Sequence, residues 1–402
     1  MVQLPVASLV SAISSAAARW ADPHFAARQR LTEAVSQRTG YSEPVVDHAF
    51  DTLFGSLRRE AIEAVIADEL GCLKVLDEFS NRPGRPRARA LPLGKIAIVS
   101  SRTTVGVAIV PAIFALCAKC TVHVKDRDDS LVRAFFETVK EELPELAASL
   151  SAEAWDGEVE MERLRGYDGV VAFGNDHTLS RISRELPHEA RFIGFGSKAS
   201  AGYITRQARE REEDVHAFAA RVARDVMLYD TEGCLSLHVL LVEPHERFPI
   251  VRFSKIVADA VTAMAPEFPA SDRDAQVRAR QALAREAATF ALSPQMVQSD
   301  TDSSFLVVAD ASAERPPPFV ARSVAIWEVD TPAQAARYLR RHGISLEGLA
   351  IAQRRDDVVE MALQLGVSRI TELGMLQRPP LGYFHGGRPR IAEFVRWVSD
   401  ET

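Results

Sequence analysis

The chain has 402 residues, 47% of them hydrophobic and 26% charged, which excludes a disordered, collagen-like or disulfide-scaffold chain. Its 48 basic and 55 acidic side chains leave a net charge of −7, so no global basic field favours nucleic acid. The length favours two or three domains, and the four cysteines do not amount to a disulfide framework.

The N-terminal stretch MVQLPVASLVSAISSAAARW lacks an early positive charge. Its apolar residues fit a helical face, so it reads as a folded amphipathic segment and not a signal peptide. Residues 1–80 continue as helices, with Val46, Phe50, Leu53 and Phe54, then Ile62, Val65, Ile66 and Leu70 at spacings of three and four. Cys72 falls within this pattern and reads as a small buried hydrophobe. The stretch 82-RPGRPRAR-89 reads as a loop or linker.

From residue 91 the pattern changes to strands alternating with helices. Strands are expected at Lys95–Ser100, Thr121–Lys125, Gly169–Phe173 and Arg191–Phe195, with helices at 106–119, 130–148 and 176–186 between them. That alternation indicates a parallel α/β sheet. The apolar run Val105–Cys117 carries Pro111 and is shorter than the roughly 20 residues a bilayer requires, so it reads as a buried core helix. No membrane span and a cytoplasmic location are expected.

A helix near 209–228 leads into the turn 229-YDTEGCLSLH-238 and a strand at Val239–Val242. A long helical stretch over 249–292 follows, then strands at 305–308 and 323–327 with helices near 332–341 and 356–366. The tail opens with a short strand, loops through 374-GMLQRPPLGYFHGG-387 and closes on a helix at 389–398. This outlines a second α/β unit over about 233–375.

Cys234 is the sharpest chemical candidate. It lies in a turn beside Gly233, and an exposed thiolate there attacks a carbonyl readily; a small buried hydrophobe is the competing reading. Cys117 and Cys120 form a CxxC, yet no second pair follows at ligand spacing, so no metal site is expected. Lys125 ends a strand in a βα connection, at the sheet edge where parallel sheets bind ligands. Gly174, Asn175 and Asp176 open a helix whose N-terminus suits a pyrophosphate; plain capping by Asn175 or Asp176 is the alternative. No GxGxxG follows any strand. Only seven basic residues are lysines, Lys198 among them, so a lysine here is more informative than an arginine.

Taken in order, these segments resemble the aldehyde dehydrogenase superfamily and, more narrowly, its LuxC-type acyl-CoA reductase branch. The nucleophile turn, roughly Gly-Cys-Leu-Ser-Pro-Gln in the family, is 233-GCLSLH-238 here. The cofactor strand ending in Lys matches 121-TVHVK-125, and the glycine step matches 173-FGND-176. The segment 193-IGFGSKAS-200 stands where ordinary members carry Leu-Glu-Leu-Gly-Gly-Lys, and 374-GMLQRPPLGYFHGGRPRIAEFVRW-397 resembles the reductases' C-terminal region.

The resemblance implies an aldehyde-dehydrogenase-like fold: two parallel-sheet α/β domains, an oligomerisation flap and a helical N-terminal segment. The expected divisions are 1–80 (helical), 81–232 (dinucleotide-binding), 233–375 (catalytic, with the cysteine at the domain interface) and 376–402 (returning to the cofactor domain or oligomer interface). The implied reaction is NADPH-dependent reduction of an acyl-CoA or acyl-carrier thioester to an aldehyde through acyl-Cys234, with NADH as the alternative reductant. A homodimer or homotetramer is implied, with an acyl-transfer partner as an addition. The backbone N–H of Cys234 is one oxyanion donor. The position of the family's second donor, an Asn, falls on Arg102, so Arg102 or Thr103 takes that role. Ordinary members also place a water-activating Glu at the position of Gly194; its absence implies that the enzyme thioester outlasts water. An acyl-phosphate reductase and a non-catalytic scaffold of an acyl-transfer complex are the alternatives.

Overall fold

The computed structural model describes residues 2–82, 85–101, 104–126, 130–155, 161–270, 275–300 and 304–402. Four helices come first: α1 (Val6–Ala21), α2 (Ala26–Thr39), α3 (Glu43–Ser56) and α4 (Arg59–Leu70). The alternating region follows with β1 (Ser80–Arg82), β2 (Arg85–Pro92), β3 (Lys95–Val99), α5 (Ile109–Cys117), β4 (Thr121–Lys125), α6 (Leu131–Glu142), β5 (Leu150–Glu153), β6 (Gly169–Phe173), α7 (Asp176–Glu185) and β7 (Arg191–Phe195). Next come β8 (Ala199–Ile204), α8 (Glu212–Met227), β9 (Leu237–Val242), α9 (Ile250–Met264), α10 (Ala275–Ala291), β10 (Val297–Gln298), β11 (Leu306–Asp310), β12 (Ser323–Glu328), α11 (Pro332–Arg341), β13 (Leu346–Ile351), α12 (Asp356–Gln364) and β14 (Arg369–Glu372). The chain ends on β15 (Val395–Asp400).

Two compact units result. The first holds 1–39, 46–197 and 380–402; the second holds 40–45 and 198–379. The chain changes unit at 39/40, 45/46, 197/198 and 379/380; the divisions expected from the sequence are at 80/81, 232/233 and 375/376.

In the first unit β3–β7 form a five-stranded parallel sheet in the order β5-β4-β3-β6-β7. The chain winds outward from β3 on both sides, which creates a topological switch between β3 and β6, and ligands of such sheets bind at the carboxyl ends there. The expected buried core helix is α5, with seven of its residues inside the unit. The N-terminal helices belong to the same core. Trp20 of α1 packs edge-on to Phe50 at 6.1 Å and donates from its indole to Thr138 of α6 at 3.0 Å.

A separate three-stranded antiparallel sheet, β1-β2-β15, supplies the flap. Two expectations are corrected here. The stretch 82–89 is largely strand, because Ala88 and Ala90 alternate inward between outward arginines. The expected helix over 389–398 is instead a short turn followed by β15, which pairs with β2 from Val395↔Pro92 to Asp400↔Arg87. Only its first residue is buried, so the segment offers no apolar helix face, and it is held as a strand by its ladder with β2.

The second unit holds a seven-stranded sheet in the order β10-β11-β12-β9-β8-β13-β14, parallel except for β10. Its core gathers Val239, Leu241, Trp327, Leu339 and Leu349. The helical stretch over 249–292 is two helices, α9 and α10. Two of the strands, β8 and β13, carry little sequence signal. Both are built partly from small residues that let neighbours approach closely. A Cβ on Gly348 would meet the Ser200 hydroxyl and Leu376 at 2.9 Å. Among the described residues, no helix is long and apolar enough to cross a membrane.

Candidate active site

Cys234 is presented by a turn built in an unusual backbone state. Tyr229, Asp230 and Thr231 have φ of 54°, 50° and 59°, the left-handed region that costs about 1–2 kcal/mol for each non-glycine residue. Such strain persists only where the surroundings fix it. Here Asp230 and Arg322 form a buried ion pair, with side chains 1% and 3% exposed. Arg322 also donates to the Pro269 carbonyl at 2.6 Å, and the Thr231 hydroxyl accepts the Ser323 N–H at 3.1 Å.

The turn itself is closed by the Ser236 N–H donating to the Gly233 carbonyl at 2.9 Å. Ser236 Oγ accepts the Gly233 N–H at 3.1 Å and the Gln377 amide at 2.8 Å. Gln377 lies in the tail loop 374–378, which is itself pinned. Asp225 accepts the N–H groups of Gly374 and Leu376 at 2.6 and 3.1 Å, and Arg369 donates to the carbonyls of Leu376 and Met375 at 2.7 and 2.9 Å. Burial pushes the Asp225 carboxyl up to about 7 against those N–H donors.

Cys234 stands just before β9, at the amino edge of the second unit's sheet, and keeps partial exposure. Burial pushes its thiol up to about 12. The Glu347 charge adds to the rise, while the Lys198 ammonium and the N–H groups of Cys234 and Leu235 oppose it. Lys198 precedes β8 and Glu347 opens β13, so both belong to the same sheet edge. Lys198 Nζ lies 2.9 Å from the Glu347 carboxylate and 3.4 Å from the Ser368 hydroxyl. A second link runs through Ser200, which accepts the Gly348 N–H at 3.0 Å and donates to the Cys234 carbonyl at 2.8 Å. His238, four residues on, is no base for this thiol. Its Nδ1 lies 2.8 Å from the Ser236 carbonyl, it bonds the backbone of Thr231, and burial lowers its pKa.

The expected cofactor residues gather at the carboxyl edge of the first unit's sheet. Lys125 ends β4 with its ammonium 5.2 Å from the centre of the Trp155 ring, a cation–π distance. Gly174 follows β6, Asn175 and Asp176 open α7, and the Asn175 side chain accepts the Thr178 N–H at 2.8 Å. Asn175 therefore does cap the helix. Phe173, Phe195 and His385 stack beside this edge, with Phe195 and His385 rings 4.4 Å apart. A strand-end ammonium on one side of β3 and a helix N-terminus on the other, at the same carboxyl edge, are a donor set that fits a dinucleotide. Arg102 and Thr103 lie outside the described residues.

The other cysteines are differently placed. Cys117 and Cys120 are fully buried, and burial pushes their thiols up to about 12 and about 11. Cys72 is not inside a helix: α4 stops at Leu70, and Cys72 has extended backbone with φ −164°. Among the described residues, no three His, Cys, Asp or Glu side chains cluster as metal ligands. Gly194 faces Phe192 and Leu179, which a Cβ would meet at 2.9 and 3.4 Å; close packing accounts for the glycine. Glu347 is the carboxylate whose charge adds to the rise of the Cys234 thiol. Lys198 and Ser200 lie in the 193–200 segment and Gln377 in the 374–397 tail, and the sequence suggested no role for any of the three; Glu347 carries no local motif at all.

Comparison with known proteins shows the family and the fold. The family described as acyl-CoA reductase (LuxC) matches residues 1–397. A long-chain acyl-protein thioester reductase of Photorhabdus laumondii is 22% identical, over 99% of this chain and 83% of the relative. The one from Aliivibrio fischeri is 21% identical, over 100% and 83%. Among solved structures, an NAD-dependent benzaldehyde dehydrogenase from Corynebacterium glutamicum superposes with a TM-score of 0.75 at 16% identity, covering 99% of this chain and 86% of that one. An oxidoreductase from Marinobacter aquaeolei gives 0.74 at 11%, covering 100% and 86%. The fold is aldehyde-dehydrogenase-like, as the sequence motifs implied.

Proposed function

The chain belongs to the acyl-CoA reductase (LuxC) family, and from that membership we propose that it reduces a fatty acyl thioester, on CoA or on a carrier protein, to the aldehyde through an acyl-Cys234 intermediate. One observation carries the reading: the strained 229–231 segment and its buried ion pair hold a cysteine at the start of β9 with backbone N–H groups at its sulfur. A structural cysteine needs no such support.

In this reading the Cys234 thiolate attacks the thioester carbonyl and displaces the carrier thiol. The backbone N–H groups of Cys234 and Leu235 face the charge that develops on the carbonyl oxygen, and preorganised donors of that kind contribute most to such steps. A reduced nicotinamide, when bound, supplies the hydride that converts the enzyme thioester to an aldehyde. Lys125 at the end of β4 and the α7 N-terminus at Gly174–Asp176 would hold its phosphate and ribose groups, with NADPH favoured on the resemblance alone. In this assignment the 198–379 unit is the catalytic domain, and the unit containing 46–197 is the cofactor domain.

The decisive variant is Cys234→Ala. Incubated with an acyl-CoA and reduced nicotinamide, it should consume no cofactor and retain no acyl label by mass spectrometry, while Cys72→Ala keeps both. Acyl label on Cys234→Ala protein would overturn the assignment.

A further inference from the structure

We propose that Lys198, held in place by Glu347, is the cation that positions and stabilises the Cys234 thiolate, so that this pair sets how much of the nucleophile is ready to react. The inference rests on the reading of Cys234 as the nucleophile and adds to it the group that tunes its ionisation.

The pair is placed for the task. Residues 198, 234 and 347 all stand at the amino edge of adjacent strands in one sheet, β8, β9 and β13. The edge is tied together by the chain from the Gly348 N–H through Ser200 Oγ to the Cys234 carbonyl. The two charges also act on the thiol in opposite directions, Glu347 against ionisation and Lys198 for it.

The other ionisable groups of this region are committed elsewhere. His238 bonds backbone at Ser236 and Thr231, Asp230 pairs with Arg322, and Glu232 accepts the Tyr41 hydroxyl. Asp225 and Arg369 are used by the tail loop. Lys198 is different: two of its three donors serve Glu347 and Ser368, and its side chain is 27% exposed.

A purely architectural role is the competing account, and the choice of residue argues against it. The other described ion pairs of this unit use arginine, including the buried ones at Asp230 and Glu243. Arginine's planar fork suits fixed bidentate pairing, whereas an ammonium is a compact charge on a flexible stem. Glu347 is only 1% exposed, and burying such a pair gains little stability over an apolar one. Under the proposal the chemistry balances simply. The thiol proton leaves to solvent and the Cys234 thiolate forms a new S–C bond to the acyl carbon. The S–C bond to the carrier then breaks, and the departing thiolate takes a proton from solvent. Lys198 keeps its proton throughout.

The test is the pH profile of Cys234 alkylation by iodoacetamide on the full chain, read at the Cys234 peptide by mass spectrometry. Lys198→Met should slow alkylation at pH 8 about tenfold, the effect of one pKa unit, with the profile displaced to higher pH. Lys198→Arg should recover most of the rate. Glu347→Gln should do the reverse and speed alkylation, because it removes the opposing charge. Damage to packing would slow both variants, so opposite signs identify the electrostatic role, and equal slowing or no change overturns it. Should Lys198→Met fail to fold, the sign for Glu347→Gln decides alone. Alkylation does not require Cys234 to be the acyl acceptor. Acyl label on Cys234→Ala would therefore remove the proposed function while leaving this measurement to stand or fall separately.

Discussion

At the carboxyl edge of the first unit's sheet, Lys125 and the 173–176 turn each follow directly from their own strand. At the amino edge of the second unit's sheet, Cys234 is held by partners far away in sequence. Ser200 is 34 positions from it, the Lys198–Glu347 pair spans 149, and Gln377 reaches Ser236 across 141. The first edge is what any doubly wound sheet offers a ligand. The second is an assembly, and it stores backbone strain that only remote contacts restrain. Remote substitutions should therefore damage the two edges unequally.

The largest effect is expected at Arg322. Removing one partner of a buried ion pair costs about 3–5 kcal/mol, because the other charge is left uncompensated. Arg322→Ala should lower denaturant stability by that amount and should also abolish acylation of Cys234, because Asp230 then no longer fixes the left-handed segment. Loss of stability with acylation intact would break the comparison: the turn would be holding its shape without remote help.

Next comes Asp225, which anchors the tail loop through the Gly374 and Leu376 N–H groups. Its folded pKa, about 7, is raised above the ordinary 3.8, mainly by burial. A raised carboxyl contributes its full stability below its unfolded pKa and loses it as pH rises through the folded value. Stability should therefore fall across roughly pH 4 to 7. At about 1.4 kcal/mol per pKa unit the loss is of the order of 4 kcal/mol. Groups with lowered pKa values, such as Glu243 and Asp357, slope the other way. The measurement is accordingly the difference between wild type and Asp225→Asn in melting temperature against pH. A difference that does not vary with pH would show that Asp225 is ionised at little cost.

These contrasts explain what the sequence made legible. The parallel strands β3, β4, β6 and β7 and the helix α5 announce themselves through apolar runs and turn residues. Cys234 was legible because the residues around it form a local motif, Gly233 to Ser236. Strand β8 was not, because Ala199–Gly202 are small and carry little hydrophobic signal, and in β13 the apolar run Leu346–Ile351 is interrupted by Glu347 and Gly348. With those strands hidden, Lys198 and Glu347 had no visible sheet to meet on. The flap strand β15 read as a helix because its apolar residues are few and its pairing partner, β2, looked like an arginine-rich linker. Local chemistry was readable, and chemistry assembled across the sheet was not.

The smallest effect, at Asn175, sharpens the local side of the comparison. Its side chain accepts the Thr178 N–H at 2.8 Å and so caps α7. Loss of such a cap costs about 1 kcal/mol, so Asn175→Ala should lower the melting temperature by only a few degrees. Asn175→Asp restores an accepting oxygen and favours the helix dipole, so it should return the stability in full. Nucleotide affinity, measured by equilibrium titration, separates the two roles open to the residue. If Asn175 only caps the helix, both variants should bind nucleotide within a factor of about two of the unsubstituted protein. If its amide also meets the phosphates, Asn175→Asp should regain stability while binding worsens about tenfold, since a carboxylate then faces an anion. The first outcome leaves the carboxyl edge resting on Lys125 and the α7 backbone; the second makes Asn175 part of the ligand site.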